Sequence, residues 1–134
     1  MPPEESRYAR DWLRVAEKDW ARLGHALDDS DAEEAGFWLQ QAMEKYLKAY
    51  LLSKGWRLRK VHDLEVLVNE AAAHTPGFAQ YARACRKISG YYISERYPMM
   101  DPPLLAVEEV VRSRSEVLGL VESIRQECGR GSPP

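Results

Sequence analysis

Apolar residues recur at steps of three and four along most of the chain, the spacing of one face of an α-helix. Trp12, Ala16, Trp20, Leu23 and Leu27 share such a face, with charges filling the other. The pattern predicts a first helix from about Ser6 to Leu27, broken by Asp28-Asp29-Ser30-Asp31. Ser30 and Glu33 have the spacing of a capping box that opens a second long helix. Gly55 ends that helix as a left-handed C-cap. With a turn of about 100° per residue, Ala35, Trp38, Leu39, Ala42, Met43, Tyr46, Leu47 and Tyr50 fill one broad arc. Gln40, Gln41, Glu44, Lys45 and Lys48 gather on the remaining arc.

The stretch "RLRKVHD" reads as a basic connector, and Asp63 as the cap of a third, shorter helix, "LEVLVNEAAAH". The stretch "TPG" ends it and starts a fourth, from about Phe78 to Ile93. Gly90 weakens that helix near its end, and Pro98 disfavours helical geometry at Tyr97. Leu104, Val107, Val111, Leu118, Val121 and Ile124 give a fifth, and "GRGSPP" reads as a loose tail. No segment sustains the alternation of a strand. The expected class is all-α, an antiparallel up-and-down bundle of about five helices. One domain spans residues 1–134, with loose ends at about 1–5 and 129–134. Trp12, Trp20, Leu39, Met43, Leu47, Val111 and Leu118 are expected in the core.

A chain of 134 residues folds without disulfide or metal, since a domain of this size buries roughly two-thirds of its unfolded surface. The net charge of −2 gives no whole-molecule attraction to nucleic acid or acidic lipid. Cys85 and Cys128 lie far apart and make neither a CxxC pair nor a disulfide framework. His25, His62 and His74 are equally scattered, so no metal site is expected. The segment "MPPEESRYARDW" has no signal-peptide core, and no apolar run reaches the roughly 20 residues of a membrane span. A cytoplasmic protein with reduced thiols is expected.

Candidate chemistry falls in three places. The face "QQAMEKYLK" is either a solvated helix surface or a polar groove or subunit seam; Glu44 and Lys48 form a favourable i,i+4 pair on it. His62, at a helix start, either hydrogen-bonds the connector or serves ligand binding or catalysis. The stretch "YYISERYPMMDPP" concentrates Tyr91, Tyr92, Arg96 and Tyr97 at one corner. That corner either closes the bundle end or forms a site, since the guanidinium of Arg96 suits phosphate, carboxylate or aromatic partners. There is no GxxxxGK[ST] or GxGxxG phosphate loop.

"AGFWLQQAMEKYLKAYLLSKG", then "KVHDLEVLV", then "YYISERYP" resemble, in that order, the HEPN domain in its small stand-alone prokaryotic form. The resemblance implies an all-α antiparallel bundle that forms homodimers or larger oligomers. It further implies a minimal nucleotidyltransferase as partner in a two-component or toxin–antitoxin module, and nucleotide binding. Many HEPN toxins are metal-independent RNases with an Arg followed, after four to six residues, by His. Histidine serves there as acid or base and arginine stabilises phosphorane charge. No histidine follows Arg96 in this chain. Only Arg57 and His62 have the bare spacing, in the connector rather than late in the fold, and the pair is read as coincidental.

Two readings remain. The first is a non-catalytic HEPN binding subunit that oligomerises and partners a nucleotidyltransferase, with no catalytic residue and no cofactor. Its candidate nucleotide- or partner-binding residues are Tyr91, Tyr92, Arg96, Tyr97, Gln41, Glu44, Lys45, Lys48 and His62. The alternative is a metal-independent RNase toxin acting on RNA through Arg57 and His62 or an unrecognised site.

Overall fold

The computed structural model describes residues 8–96 and 105–130, leaving out the side chains of residues 92–96 and 130. In order come α1 (Ala9–Asp28), α2 (Ala32–Ser53), α3 (Leu64–Ala72), a 3-10 helix (Pro76–Tyr81), α4 (Ala82–Arg96) and α5 (Val107–Arg130). No strand occurs among the described residues. The architecture is the all-α bundle that the periodicity predicts.

The middle of the bundle is α2, which packs against α1, α3, α4 and α5. Its predicted apolar arc is buried from Ala35 through Leu39, Ala42, Met43, Tyr46 and Leu47 to Tyr50, with Trp38 partly covered. Each large side chain so buried contributes about 2 kcal/mol. A helix in contact on so many sides has no fully solvated face, which decides the fate of its polar arc. Gly36 serves this packing: a Cβ there would run into Leu105 and lie 3.4 Å from Tyr91 Cβ.

The helix ends follow local chemistry. Gly55 takes the predicted left-handed conformation, φ 88°, after α2. Asp63 caps α3 as predicted, its carboxylate accepting from the backbone N–H groups of Glu65 and Val66. The cap of α2 lies one residue later than the capping box at Ser30. Ser30 makes the chain reversal at φ 56°, whereas an N-cap needs extended backbone. Asp31 provides that, accepting from Glu34 N at 3.1 Å. Glu34 does not reach back to complete a box; its carboxylate accepts from Trp38 Nε1.

Further expectations are corrected. The segment from Phe78 starts as a tight 3-10 turn, and α4 begins only at Ala82. Pro76 stands in the first turn of that 3-10 helix, and the turn buries Phe78 with its ring 5.0 Å from Tyr50. The fourth helix also passes Gly90 and continues to Arg96. On α5, Val111 and Leu118 are 44% and 40% exposed, not in the core. The buried stripe is Val110, Ser113, Val117, Leu120 and Ile124, at steps of three and four, with Val121 and Cys128 beside it. Ser113 hides this stripe in the sequence, because a serine reads as surface. It is buried because its Oγ hydrogen-bonds the Tyr91 hydroxyl at 2.8 Å. Trp20, expected in the core, is only partly buried.

Cys85 and Cys128 are free and buried. Burial pushes the Cys85 thiol up to about 12 and the Cys128 thiol up to about 11.

Candidate functional site

The polar arc of α2 forms one wall of a cavity of about 990 Å³. Gln40, Gln41, Glu44, Lys45 and Lys48 line it from α2, and Leu58, Arg59, Lys60 and His62 from the connector that crosses in front. Trp12 of α1, Phe37, Asp63 and Ser89 complete it. The arc is not a solvated surface. Gln40, Glu44 and Lys48 are 3%, 7% and 3% exposed.

Burial of this kind requires partners, and the partners form one continuous network. It starts on α1 at Asp19, which is fully buried and salt-bridged to Arg22 at 2.8 Å. Lys45 Nζ donates to Asp19 at 2.5 Å and to Gln41 Oε1 at 3.4 Å. Gln41 Nε2 donates to Gln40 Oε1 at 2.6 Å, and Gln40 Nε2 to Glu44 Oε1 at 3.4 Å. Glu44 Oε2 then takes two donors, Lys48 Nζ at 2.9 Å and His62 Nδ1 at 2.9 Å. Lys48 Nζ also stands 5.2 Å from the Trp12 ring centre. The network thus ties α1, α2 and the connector together.

The charges in this wall are paired one to one or better. Lys45 faces Asp19, while Lys48 and His62 share Glu44. Arg59 on the rim pairs with Glu70 and stacks near Trp56. Lys60 is different: among the described residues it has no hydrogen bond or ion pair, yet it lines the cavity. His62 leans its Nδ1 on the buried carboxylate while its side chain stays 74% exposed. A carboxylate on one ring nitrogen orients the imidazole and fixes its tautomer.

A family model for the HEPN domain matches residues 9–125. The chain belongs to the HEPN domain family. No curated protein and no solved structure matches it significantly. In this HEPN chain, no described helix is long and apolar enough to cross a membrane. No cluster of three or more potential metal ligands occurs among the described residues.

Of the residues singled out in the sequence, Gln41, Glu44, Lys45, Lys48 and His62 come together on the cavity. Tyr91 does not line it. Its ring lies in the core, its hydroxyl on Ser113, and burial raises its phenol above the usual range. Arg96 and Tyr92 belong to the backbone of α4, but their side chains, and all of Tyr97, lie outside the described residues. Arg57 is exposed and away from the cavity lining.

Sequence reasoning missed Asp19, Trp12, Gln40, Arg59 and Lys60 as site residues. Asp19 gives no signal, since one aspartate on an amphipathic helix reads as solvated. Gln40 had one: a polar residue on a helix whose apolar arc is too broad for a surface helix must face protein or a cavity.

Proposed function

We propose that this HEPN protein is a non-catalytic binding module whose cavity takes a nucleotide. It works as a homo-oligomer beside a minimal nucleotidyltransferase. The observation that carries the reading is the cavity itself, with a buried amide and paired charges on α2 facing a basic connector. Pre-ordered polar groups around an open volume of this size are the usual composition of a small-molecule site. Partner and oligomer rest on the family resemblance, and Arg96 is proposed to hold an anion or the partner. Calorimetric titration with nucleotides tests the site, and co-purification with the product of an adjacent nucleotidyltransferase reading frame tests the partner. Saturable nucleotide binding that weakens in Lys48→Met supports the first. Titrations without heat at millimolar ligand count against it. A solution mass of strictly one subunit at micromolar protein would count against the oligomer.

A second reading has one observation in its favour. The Glu44 carboxylate holds Nδ1 of an exposed His62, an arrangement suited to acid–base catalysis on RNA. RNA cleavage by the purified protein, lost in His62→Ala, would establish it; intact RNA after prolonged incubation removes it.

A further inference from the structure

We infer that the cavity selects an adenine nucleotide carrying a single phosphate, reading the base edge with Gln41 and meeting the phosphate at Lys60. The inference rests on the nucleotide-binding reading above and adds the class of nucleotide. Three observations lead to it.

The first concerns charge. A polyphosphate needs several donors or cations that are not already neutralised. Here the cations set into the wall each face a carboxylate: Lys45 has Asp19, and Lys48 has Glu44. Arg59 on the rim has Glu70. A ligand with several negative charges would sit against Glu44, which is nearly buried and screened little by solvent. Lys60 alone lines the cavity without a partner among the described residues. One uncompensated cation suits one phosphate.

The second concerns the helix start that opens here. The N-terminus of a helix is a common phosphate seat. That of α3 is already filled by its own carboxylate, since Asp63 Oδ1 accepts from Glu65 N at 2.9 Å and Val66 N at 3.4 Å. Asp63 itself lines the cavity. The position that would otherwise attract a phosphate chain therefore carries a negative group.

The third concerns unused hydrogen-bonding capacity. A carboxamide has two N–H donors and two lone pairs. Gln41 uses one donor on Gln40 and one lone pair on Lys45. Among the described residues it keeps one of each, on neighbouring atoms, at the cavity wall. An amide with one donor and one acceptor pairs with the N6–H and N7 of adenine, whereas guanine offers two acceptors along the same edge. The two bonds already made hold the Gln41 amide in place before a ligand arrives, which lowers the ordering cost of binding.

The test is calorimetric titration of the full chain, without added metal, with adenosine, AMP, ATP and GMP. AMP is expected to bind at least as tightly as ATP and more tightly than GMP. Lys60→Ala should weaken AMP about fivefold, the scale of one exposed ion pair, and leave adenosine unchanged. Gln41→Ala should weaken AMP and adenosine alike, by about tenfold. ATP binding more tightly than AMP, or GMP matching AMP, overturns the inference and leaves the nucleotide reading standing. So does an unchanged AMP affinity in either variant. Failure of all four ligands to bind the wild type overturns both.

Discussion

Two neighbouring residues of α2 each tie α1 into the bundle, in different ways. Tyr46 belongs to a closed cluster. Arg125 of α5 forks onto Glu17 of α1 at 2.7 and 2.8 Å and reaches the Tyr46 hydroxyl at 3.2 Å. Trp20 covers it, edge-on to Tyr46 at 5.9 Å and 5.9 Å from the guanidinium. Burial, then the hydrogen bond to Glu17, pushes the Tyr46 phenol well above its usual range. Lys45, one residue earlier, belongs to the open network that runs from Asp19 to His62. The closed cluster is occupied by its own members, and Glu17, Trp20, Tyr46 and Arg125 are not in the lining of the large cavity. The open one keeps donors and acceptors in reserve beside about 990 Å³ of space. Paired charge in a bundle therefore does not by itself mark a site. The proposed site adds unused hydrogen-bonding capacity that faces a volume.

The largest effect is expected at the buried root of the open network. Asp19→Ala leaves Lys45 without its carboxylate in a partly buried position, and breaking a buried pair in this way costs about 3 kcal/mol. It should also weaken nucleotide binding, by no more than the about tenfold expected for Gln41→Ala, because Lys45 then no longer orders Gln41. Chemical unfolding and calorimetry on the same variant check both halves, and wild-type affinity in a destabilised protein would break the contrast. Arg125→Met should cost less, about 1 kcal/mol, because both partners of that ion pair are more than a third exposed. Nucleotide affinity should not change, so a weakened site here would mean that the two clusters are coupled. Gln41→Ala should cost about 1 kcal/mol, because the carbonyl of the buried Gln40 loses its donor, with binding weakened.

The smallest effect is expected at the thiols, which belong to neither cluster. Their folded values of about 12 and about 11 lie above the ordinary 9.0. The folded state therefore holds its protons more firmly than the unfolded chain does. That contribution to stability is complete below pH 9 and falls as pH rises toward 11 and 12. Replacing Cys128 by Ser should flatten part of the alkaline decline, and slow reaction of both thiols with a disulfide reagent at pH 8 is the accompanying sign. Rapid labelling of either in the folded protein would contradict its burial.

The fold was readable where one physical rule acted alone. Helical spacing placed α2, a positive φ needed glycine at 55, and an aspartate before an apolar run capped α3. It was misread where tertiary contacts overrode the local signal. Ser113 entered the core through Tyr91, rotating the inferred face of α5 onto Val111 and Leu118. Ser30 was used for the chain reversal, shifting the cap to Asp31. The site was half readable for the same reason. Gln41, Glu44, Lys45, Lys48 and His62 have spacings that bring them together on a helix and at the end of its connector. Asp19 joins them only across the α1–α2 contact, which no spacing within α1 reveals. Tyr91 shares a helix with Arg96, but its ring packs in the core with its hydroxyl on Ser113.

The most direct test follows the side-chain amides by nuclear magnetic resonance while AMP is added to the isotope-labelled chain. Its glutamines are Gln40, Gln41, Gln80 and Gln126, and only the first two line the cavity. The account predicts that the amide signals of Gln41, and through it Gln40, move saturably, while those of Gln80 and Gln126 stay in place. Movement at Gln80 instead, on the smaller cleft beside Tyr81, or no movement at any of the four, would contradict it.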